Sequence, residues 1–598
     1  MKDLVAAIEY QEGLADTNGD LNEERANALD RYLGRLYGNE QEGRSKVVMR
    51  DVADTIEWIK PSLMKVFASG DEVVKFEPVG PEDEEQAQQE TDYCNHVLMQ
   101  KNNGFIVLHD WFHDALLQKT GYTLTQYETE KFPKKESYVG LSDDELALVT
   151  QDPEVEVLEY SMEPTEYGPK HSVTVKCMKE YGCTKVTNIP PERVKIAVDW
   201  PNVSLAGCPF VEVIDFPTIS DLRQRGFDVE DEINDGGTNT EDEWQEERRS
   251  VQTDIYSDRQ DLESDPSMRR VRTRYVWIRF DEDGDGIAEL RYVIIVGTTI
   301  LHNEETDILP VAALTPLRMP HEHYGQSIAD IVMDLQEIRT TLTRGFLDNM
   351  YLANNGRYAI DANVVNLDDM LVSRPGGVVR MNGSVPGSIV PLVHPQEGGA
   401  ILQAIEYVDT IRENRTGVTK YNQGLNADSL NKTATGITQI MTAAQQRIEL
   451  IARVFAETGV KDLMLIIHGM SVKHGRKEEM IKLRNKWVPV NPRTWNERRD
   501  VTVSVGLGTG NKDQMLQHLM MILQAQQQAI QIGVASPKNI YNALSKLTQN
   551  AGFKQAEEFW TDPEKNPPPQ QPNPEAIKAQ AEMQKTQFEA QQDAQKFQ

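Results

Sequence analysis

Three aspartates at alternate positions, Asp281, Asp283 and Asp285, stand in the run RFDEDGDGIAEL at residues 279–290, with Gly286 following where the chain must turn. Crowded carboxylates repel one another, and a hard cation with oxygen ligands relieves that repulsion. The run is therefore a candidate calcium loop, with Glu289 at the ninth position as a further ligand. An EF-hand closes on a bidentate Glu at its twelfth position and lies between two helices. Here the twelfth position is Tyr292, and the flanks RYVWIRF and LRYVIIVG are rich in β-branched and aromatic residues. The pattern predicts a hairpin with an acidic tip, holding calcium weakly because the bidentate ligand is missing. Solvated Asp/Gly turns also form without metal, and that reading stands beside the first.

Other chemistry-bearing spacings carry less. HDWFH places His109 and His113 four residues apart on one helix face, as in a zinc protease, but that motif needs Glu after the first His. Asp110 is shorter, no third ligand is near in sequence, and an amphipathic helix packed through Trp111 and Leu116 is the expectation. HEH at 321–323 is too short to define a metal site. GLGTGNKD at 506–513 lacks the Gly-Lys-Ser/Thr of a nucleotide-binding loop and the third glycine of a dinucleotide fingerprint, so it reads as a tight strand-to-helix turn. No Gly-x-Ser-x-Gly elbow or reactive Cys/His signature appears. The residues predict no catalytic site and no required cofactor.

The elements that position these residues follow from periodicity. ALDRYLGRLYG and VADTIEWIKPSLMKVFASG show apolar residues at helical spacing, broken by Pro61 and Gly70, and FIVLHDWFHDALLQKTG is a further helix. From about residue 121, short alternating segments punctuated by Pro and Gly predict an antiparallel sheet. DVEDEINDGGTNTEDEWQEERR is a polar acidic insertion. A helix begins at the capping candidate Ser327 and runs to about Leu352. One stripe of it is Ile328, Ile331, Leu335, Ile338, Leu342 and Phe346. A second is Asp330, Asp334, Glu337, Thr341, Arg344 and Asp348, on a different face. The arrangement suits a helix packed through the apolar stripe and presenting acid to a central hole. SRPGGVVRMNGSVPGSIVPL is a Pro/Gly-rich β segment. AILQAIEYVDTIREN is a short helix, and a later helix carries Ile437, Ile440, Met441, Ala444, Ile448, Ile451 and Phe455 at core spacing. A Gln-rich helix near 515–533 precedes a Pro-rich linker and a Gln-rich tail.

Length, composition and charge bound the partners. The 598 residues suffice for several domains, and 39% hydrophobic with 26% charged residues is a polar but globular balance. No apolar run approaches the roughly 18 residues of a membrane span, and the first residues lack the pattern of a signal peptide. Four scattered cysteines fit a reducing compartment better than a disulfide scaffold. The formal net charge of −32 argues against adhesive binding to DNA, because phosphate affinity comes mainly from Lys and Arg. It leaves room for a protein that DNA passes without sticking.

Several long segments resemble portal proteins of tailed double-stranded DNA bacteriophages, in particular those of short-tailed phages. They are GRSKVVMRDVADTIEWIKPSLMKVFASGDEVVKFEP, YGQSIADIVMDLQEIRTTLTRGFLDNMYLANN, RPGGVVR, RTGVTKYNQGLNADSLNKTATGITQIMTAAQQRIELIARVFAETG and ERRDVTVSVGLGTGN, collinear from about residue 20 to 560. The resemblance implies an α+β portal fold with a helical and β wing, a long-helix stem, a small β-rich clip and a helical crown. It also implies a homo-oligomeric ring, usually a dodecamer, at one vertex of the capsid in the virion, assembled in the host cytoplasm. Mapped onto this chain, 1–320 and 432–502 are wing, 321–355 and 398–417 stem, 356–397 clip, and 418–431 tunnel loop. The crown is 503–565, and 566–598 is a Pro-rich linker and Gln-rich tail, a short or disordered barrel.

Such a ring passes double-stranded DNA, docks the terminase and then the head-tail adaptor, and meets the major capsid and scaffolding proteins, with no membrane partner. An acidic bore, to which Asp330, Asp334 and Glu337 contribute, repels phosphate while a separate ATPase motor pumps. Local grip is expected from Lys420, Asn422, Gln423 and Lys432. Arg374 and Arg380, between the two stem helices, are expected to face terminase and adaptor. On the residues alone two other classes stay open. One is a metal-dependent hydrolase using His109, His113 or the aspartates. The other is a calcium-stabilised binding module.

Overall fold

The computed structural model describes residues 2–230, 265–418, 446–502 and 512–561, with short breaks inside those ranges and isolated positions beyond them. The chain divides into two compact units, Met1–Val505 and Gly506–Gln598. The first unit mixes helices with antiparallel sheets whose strands are mostly sequential, an α+β arrangement rather than alternating βαβ.

The first unit begins with α1 (Lys2–Ala15) and α2 (Gly19–Leu33), then α3 (Asp51–Phe67), α4 (Glu84–His96) and α5 (Gly104–Gln118). α3 buries Val52, Ile56, Ile59 and Leu63, residues three or four apart. It continues through Pro61, where the sequence suggested a break. Pro61 is exposed, so the carbonyl it cannot pair with is left to water on the outer face. α5 places Trp111 and Phe112 in the core. The Phe112 ring lies 5.1 Å from those of both Phe67 and Phe455.

Two sheets follow. A four-stranded sheet has the order Val311–Leu314, Gly121–Leu141, Gly168–Ile189, Val155–Thr165. The short segments expected from residue 121 are in fact two long strands paired from Tyr122↔Ile189 out to Leu141↔His171. Pro133 is accommodated because Val311–Leu314 pairs only with residues 121–124, so beyond Leu124 the outer side of this strand asks for no N–H donor. The five-stranded sheet runs Val194–Ile196, Phe210–Asp215, Thr273–Phe280, Glu289–Val296, Thr299–Glu305. Its hydrophobic face and Tyr122 of the other sheet enclose a core that Leu4 and Ile8 of α1 enter. Each such fully buried side chain contributes roughly 1.5–3 kcal/mol.

Helices Ile328–Asn354 and Gly398–Thr416 pack against each other. Between them lies a two-stranded sheet, Arg357–Ile360 with Ile389–Leu392, and a one-turn helix, Leu367–Leu371. Among the described residues of the Pro/Gly-rich segment, Ile389–Leu392 is the strand. A helix from residue 446 leads through a π turn into Lys461–His474. There Ile448, Ile451 and Phe455 are buried as expected, while Ile437, Ile440, Met441 and Ala444 lie outside the described residues. The acidic insertion lies mostly outside them too. The second unit contains helices Lys512–Gln531 and Pro537–Asn550, which pack together, with Trp560 donating through Nε1 to Thr548 Oγ1 at 2.9 Å. No described helix is long and apolar enough to cross a membrane.

Candidate functional site

The helix Ile328–Asn354 starts at a reciprocal cap: Ser327 Oγ accepts from Asp330 N at 3.0 Å, and Asp330 Oδ2 accepts from Ser327 N at 2.8 Å. Its buried face is Ile328, Ala329, Val332, Leu335, Gln336 and Thr340. Ile338, expected on the apolar stripe, is 48% exposed. The face turns because polar side chains, not aliphatic ones, meet the segment that crosses the helix.

That segment comes from the N-terminus, residues 31–52. Gln336 accepts from Val52 N at 2.9 Å and donates to Arg31 O at 2.9 Å. Thr340 Oγ1 accepts from Met49 N at 3.1 Å and lies 3.2 Å from the Tyr37 hydroxyl. Arg344 donates to Val47 O (2.8 Å), Asn39 Oδ1 (2.9 Å) and Glu40 Oε1 (2.6 Å). Asp348 Oδ1 accepts from Ser45 N at 2.7 Å. Residues 336, 340, 344 and 348 are four apart and so share one face. They hold the strap mainly by its backbone.

The acidic stripe is largely compensated within the chain. Asp330 lies 3.7 Å from Lys119, which also pairs with Glu24. Asp334 meets Arg415 of the second helix at 2.7 Å, and Glu337 meets Arg31 at 2.8 Å. Asp334 and Glu337 keep about half their side-chain surface in water, so these pairs are worth roughly 0–1 kcal/mol each. Arg344 and Asp348 point at the strap rather than into open space.

Sequence reasoning missed the centre of this region. Asp51, the first residue of α3, is buried and receives both Arg339 of the long helix and Arg412 of the return helix on Oδ1. Asp409 lies 3.4 Å from Arg339 Nε and 3.8 Å from Arg412 NH2. Two acids and two bases thus close a neutral cluster where three helices meet. Position 51 also adds a carboxylate to a helix N-terminus, which favours its charge. No sequence spacing announces this cluster, because its members come from three distant segments.

Two further clusters involve titrating groups. Glu12 of α1 is bonded by Lys195 (3.1 Å), Arg272 (2.9 Å) and Arg274. Although burial opposes its charge, these cations hold its carboxyl below the usual range. Glu212, wholly buried beside it, meets Arg274 at 3.9 Å, and burial pushes its carboxyl up to about 7. His323 of the HEH run is buried, 2.9 Å from the Tyr122 hydroxyl and 2.8 Å from Asn202 O, and burial lowers it to about 4.

The histidine pair does not assemble into a metal site. His109 bonds Asp110 at 2.8 Å, while His113 lies against Tyr32 with ring centroids 5.2 Å apart, tilted by 50°, and is lowered to about 4 by burial. Among the described residues the one carboxylate or imidazole group with metal-like clustering is Asp281, Asp283 and Asp285, whose ligand atoms lie within 4.8 Å of one another. They sit at the tip of the expected hairpin, with Phe280↔Glu289 as its last pair. Glu289 is taken up in the strand and does not join them. Asp281 accepts from Gly286 N (2.8 Å) and Gly284 N (2.6 Å), which lowers its carboxyl. Gly284 and Gly286 adopt φ of 81° and 89°, the left-handed region the turn requires. Tyr292, at the closing position, stacks on Trp277 at 5.1 Å.

Lys420, Asn422, Gln423, Lys432 and Arg374 lie outside the described residues. Arg380 is described, and it already has a partner: its guanidinium grips Asp369 with Nε at 2.6 Å and NH2 at 2.9 Å. Asn366 caps the one-turn helix and donates its backbone N–H to Arg380 O at 3.0 Å, so this arginine braces a turn.

The family model described as phage SU10 portal protein covers residues 3–589.

Proposed function

The chain belongs to the phage SU10 portal protein family, and from that premise we propose that its copies close into a ring, usually of twelve, at one capsid vertex, through which DNA is packaged and later ejected. The family is structural rather than enzymatic. The observation carrying the reading is the match over nearly the whole chain. The helix pair Ile328–Asn354 and Gly398–Thr416, joined to α3 through Asp51, supports it as a rigid wall element.

In this reading the helix pair is the stem and the small sheet between its helices the clip. Residues 1–320 and 432–502 are wing, 418–431 is the tunnel loop, and 503–565 is the crown. Asp334 and Glu337, half exposed although paired, give the bore an acidic but charge-compensated lining. A net charge of −32 per copy opposes adhesion of phosphate along the rest of the ring. Grip is local, at Lys420, Asn422, Gln423 and Lys432. The clip, with Arg374 and the braced Arg380, is where the terminase and then the head-tail adaptor dock, and capsid and scaffolding proteins meet the wing. The aspartate tip is a peripheral loop at which calcium binds weakly.

Negative-stain microscopy of the purified chain tests the ring directly: closed rings with a central hole are expected, and monomers at micromolar concentration overturn the reading. Replacing Lys420, Asn422, Gln423 and Lys432 together with Ala tests the loop. Rings should form while DNA packaging falls, and normal packaging removes those residues from the DNA path.

A further inference from the structure

The four-stranded sheet is four-stranded only at its base. Val311–Leu314 covers residues 121–124, and beyond them the strands Gly121–Leu141, Gly168–Ile189 and Val155–Thr165 continue as a three-stranded arm. Among the described residues no strand pairs with the outer side of either flanking strand of that arm. The arm has two open edges.

The edges differ in charge. On the first, Pro133, Lys134 and Lys135 are all exposed, with Lys134 paired to Glu136 of its own strand at 3.2 Å and Lys135 beside it. On the second, residues 156–162 are exposed without interruption, with Glu156 and Glu159 among the apolar Val157, Leu158, Tyr160 and Met162. An uncovered strand of this length and apolar content is a template for association unless something occupies it. The registers Lys135↔Lys176 and Lys176↔Glu156 put Lys135 and Glu156 at the same height on opposite sides of the arm, while a register shift after Val157 sets Glu159 level with Ser137.

We propose that the arm joins neighbouring copies of this chain edge to edge, the Lys134–Lys135 edge of one copy against the Glu156–Glu159 edge of the next. Like edges cannot meet, because a two-fold pairing would set Glu against Glu or Lys against Lys. Unlike edges can, and the contact is then head-to-tail and propagates around a ring. Both flanking strands run antiparallel to the central strand and so parallel to each other, and the equal heights bring Lys135 of one copy level with Glu156 of the next. Pro133 lacks an N–H, so the contact is made by side chains rather than by an unbroken hydrogen-bond ladder. The inference rests on the ring reading and adds to it which surfaces close the ring.

The test uses the full chain with K134E/K135E, with E156K/E159K, and with all four substitutions, followed by sedimentation velocity and negative-stain microscopy. Each charge-reversed pair should lower the ring population at least tenfold, with an unchanged melting temperature since the sites are exposed. The fourfold variant should recover rings. Wild-type rings should also weaken between low and high salt, as a contact between exposed charges requires. Rings from both single-edge variants, or no recovery in the fourfold variant, overturn the arm contact while leaving the ring intact. A wild-type chain that stays monomeric overturns the ring reading and this inference together.

Discussion

Arg412, near the end of the return helix, and Asp51, at the head of α3, share one ion pair, and Arg339 of the long helix closes on the same Asp51 oxygen. Three helices are thereby fastened through one buried carboxylate. Replacing Asp51 with Asn keeps the shape and removes the charge, leaving two guanidinium groups with Asp409 and the neighbouring Asp54. Breaking a buried pair from one side costs about 3–5 kcal/mol. A D51N chain should lose stability of that order in urea or guanidinium unfolding of the Met1–Val505 unit, and an unchanged midpoint would remove the cluster from the account.

Leu335 and Ile338 separate folding from assembly. Leu335 is 3% exposed within a single copy and Ile338 48%. Leu335→Asp should destabilise the monomer by several kcal/mol, since it buries an unpaired carboxylate. Ile338→Asp should leave the melting curve within about 0.5 kcal/mol of wild type. If Ile338 contacts a neighbouring copy, this second variant alone shows well-folded chains that fail to form rings, while normal rings from Ile338→Asp place it outside the interface.

The Glu212 carboxyl, raised to about 7 by burial, makes stability fall as pH rises. Its folded value lies above the ordinary carboxylate value, so its protonated form fits the fold best. The penalty appears above roughly pH 4.5 and is complete above about pH 7. Glu212→Gln should therefore stabilise relative to wild type increasingly across that window, by roughly 3–4 kcal/mol at its upper end. A difference that stays flat from pH 5 to 8 would show that Glu212 does not titrate there.

His323 acts in the opposite pH direction. Burial lowers it to about 4, so the neutral ring belongs to the folded state. Stability from this group is present above its ordinary value near 6.5 and is lost as pH falls toward 4. A His323→Gln chain should show a shallower acid loss between pH 6.5 and 4, read by thermal melts across that range.

The aspartate tip predicts a small calcium effect. Without a bidentate Glu, and with Asp281 already held by two backbone N–H groups, affinity should fall near 10⁻⁴–10⁻³ M. Calorimetry and melting curves in calcium against chelator check it. No heat and no thermal shift at millimolar calcium would leave a hydrogen-bonded turn.

The hairpin at 273–296 could be read from sequence because strand alternation and the Asp/Gly tip are local signals, and so could the cap at Ser327. Pro61 and Pro133 misled, since each sits where its missing N–H costs little, on the outer face of a helix and on an open strand edge. The partners of Asp330, Asp334, Glu337 and Arg344 were invisible for a different reason. They are Lys119, Arg415, Arg31 and Glu40, brought in by chain folding over long separations that no periodicity encodes. The same holds for Asp51 and Glu212.

The strap across the long helix has a consequence for how the sequence can drift. Gln336, Thr340 and Asp348 take hold of backbone N–H and C=O groups, which every residue other than proline supplies identically. Positions 45 and 49 can therefore change side chain, short of proline, and keep those bonds, whereas Val52 is held by its own burial in the core. Positions 336, 340 and 348 cannot. Mutational tolerance is unequal across a single contact: a library randomised at positions 45 and 49 should yield many folded chains, and one randomised at 336, 340 and 348 should yield few.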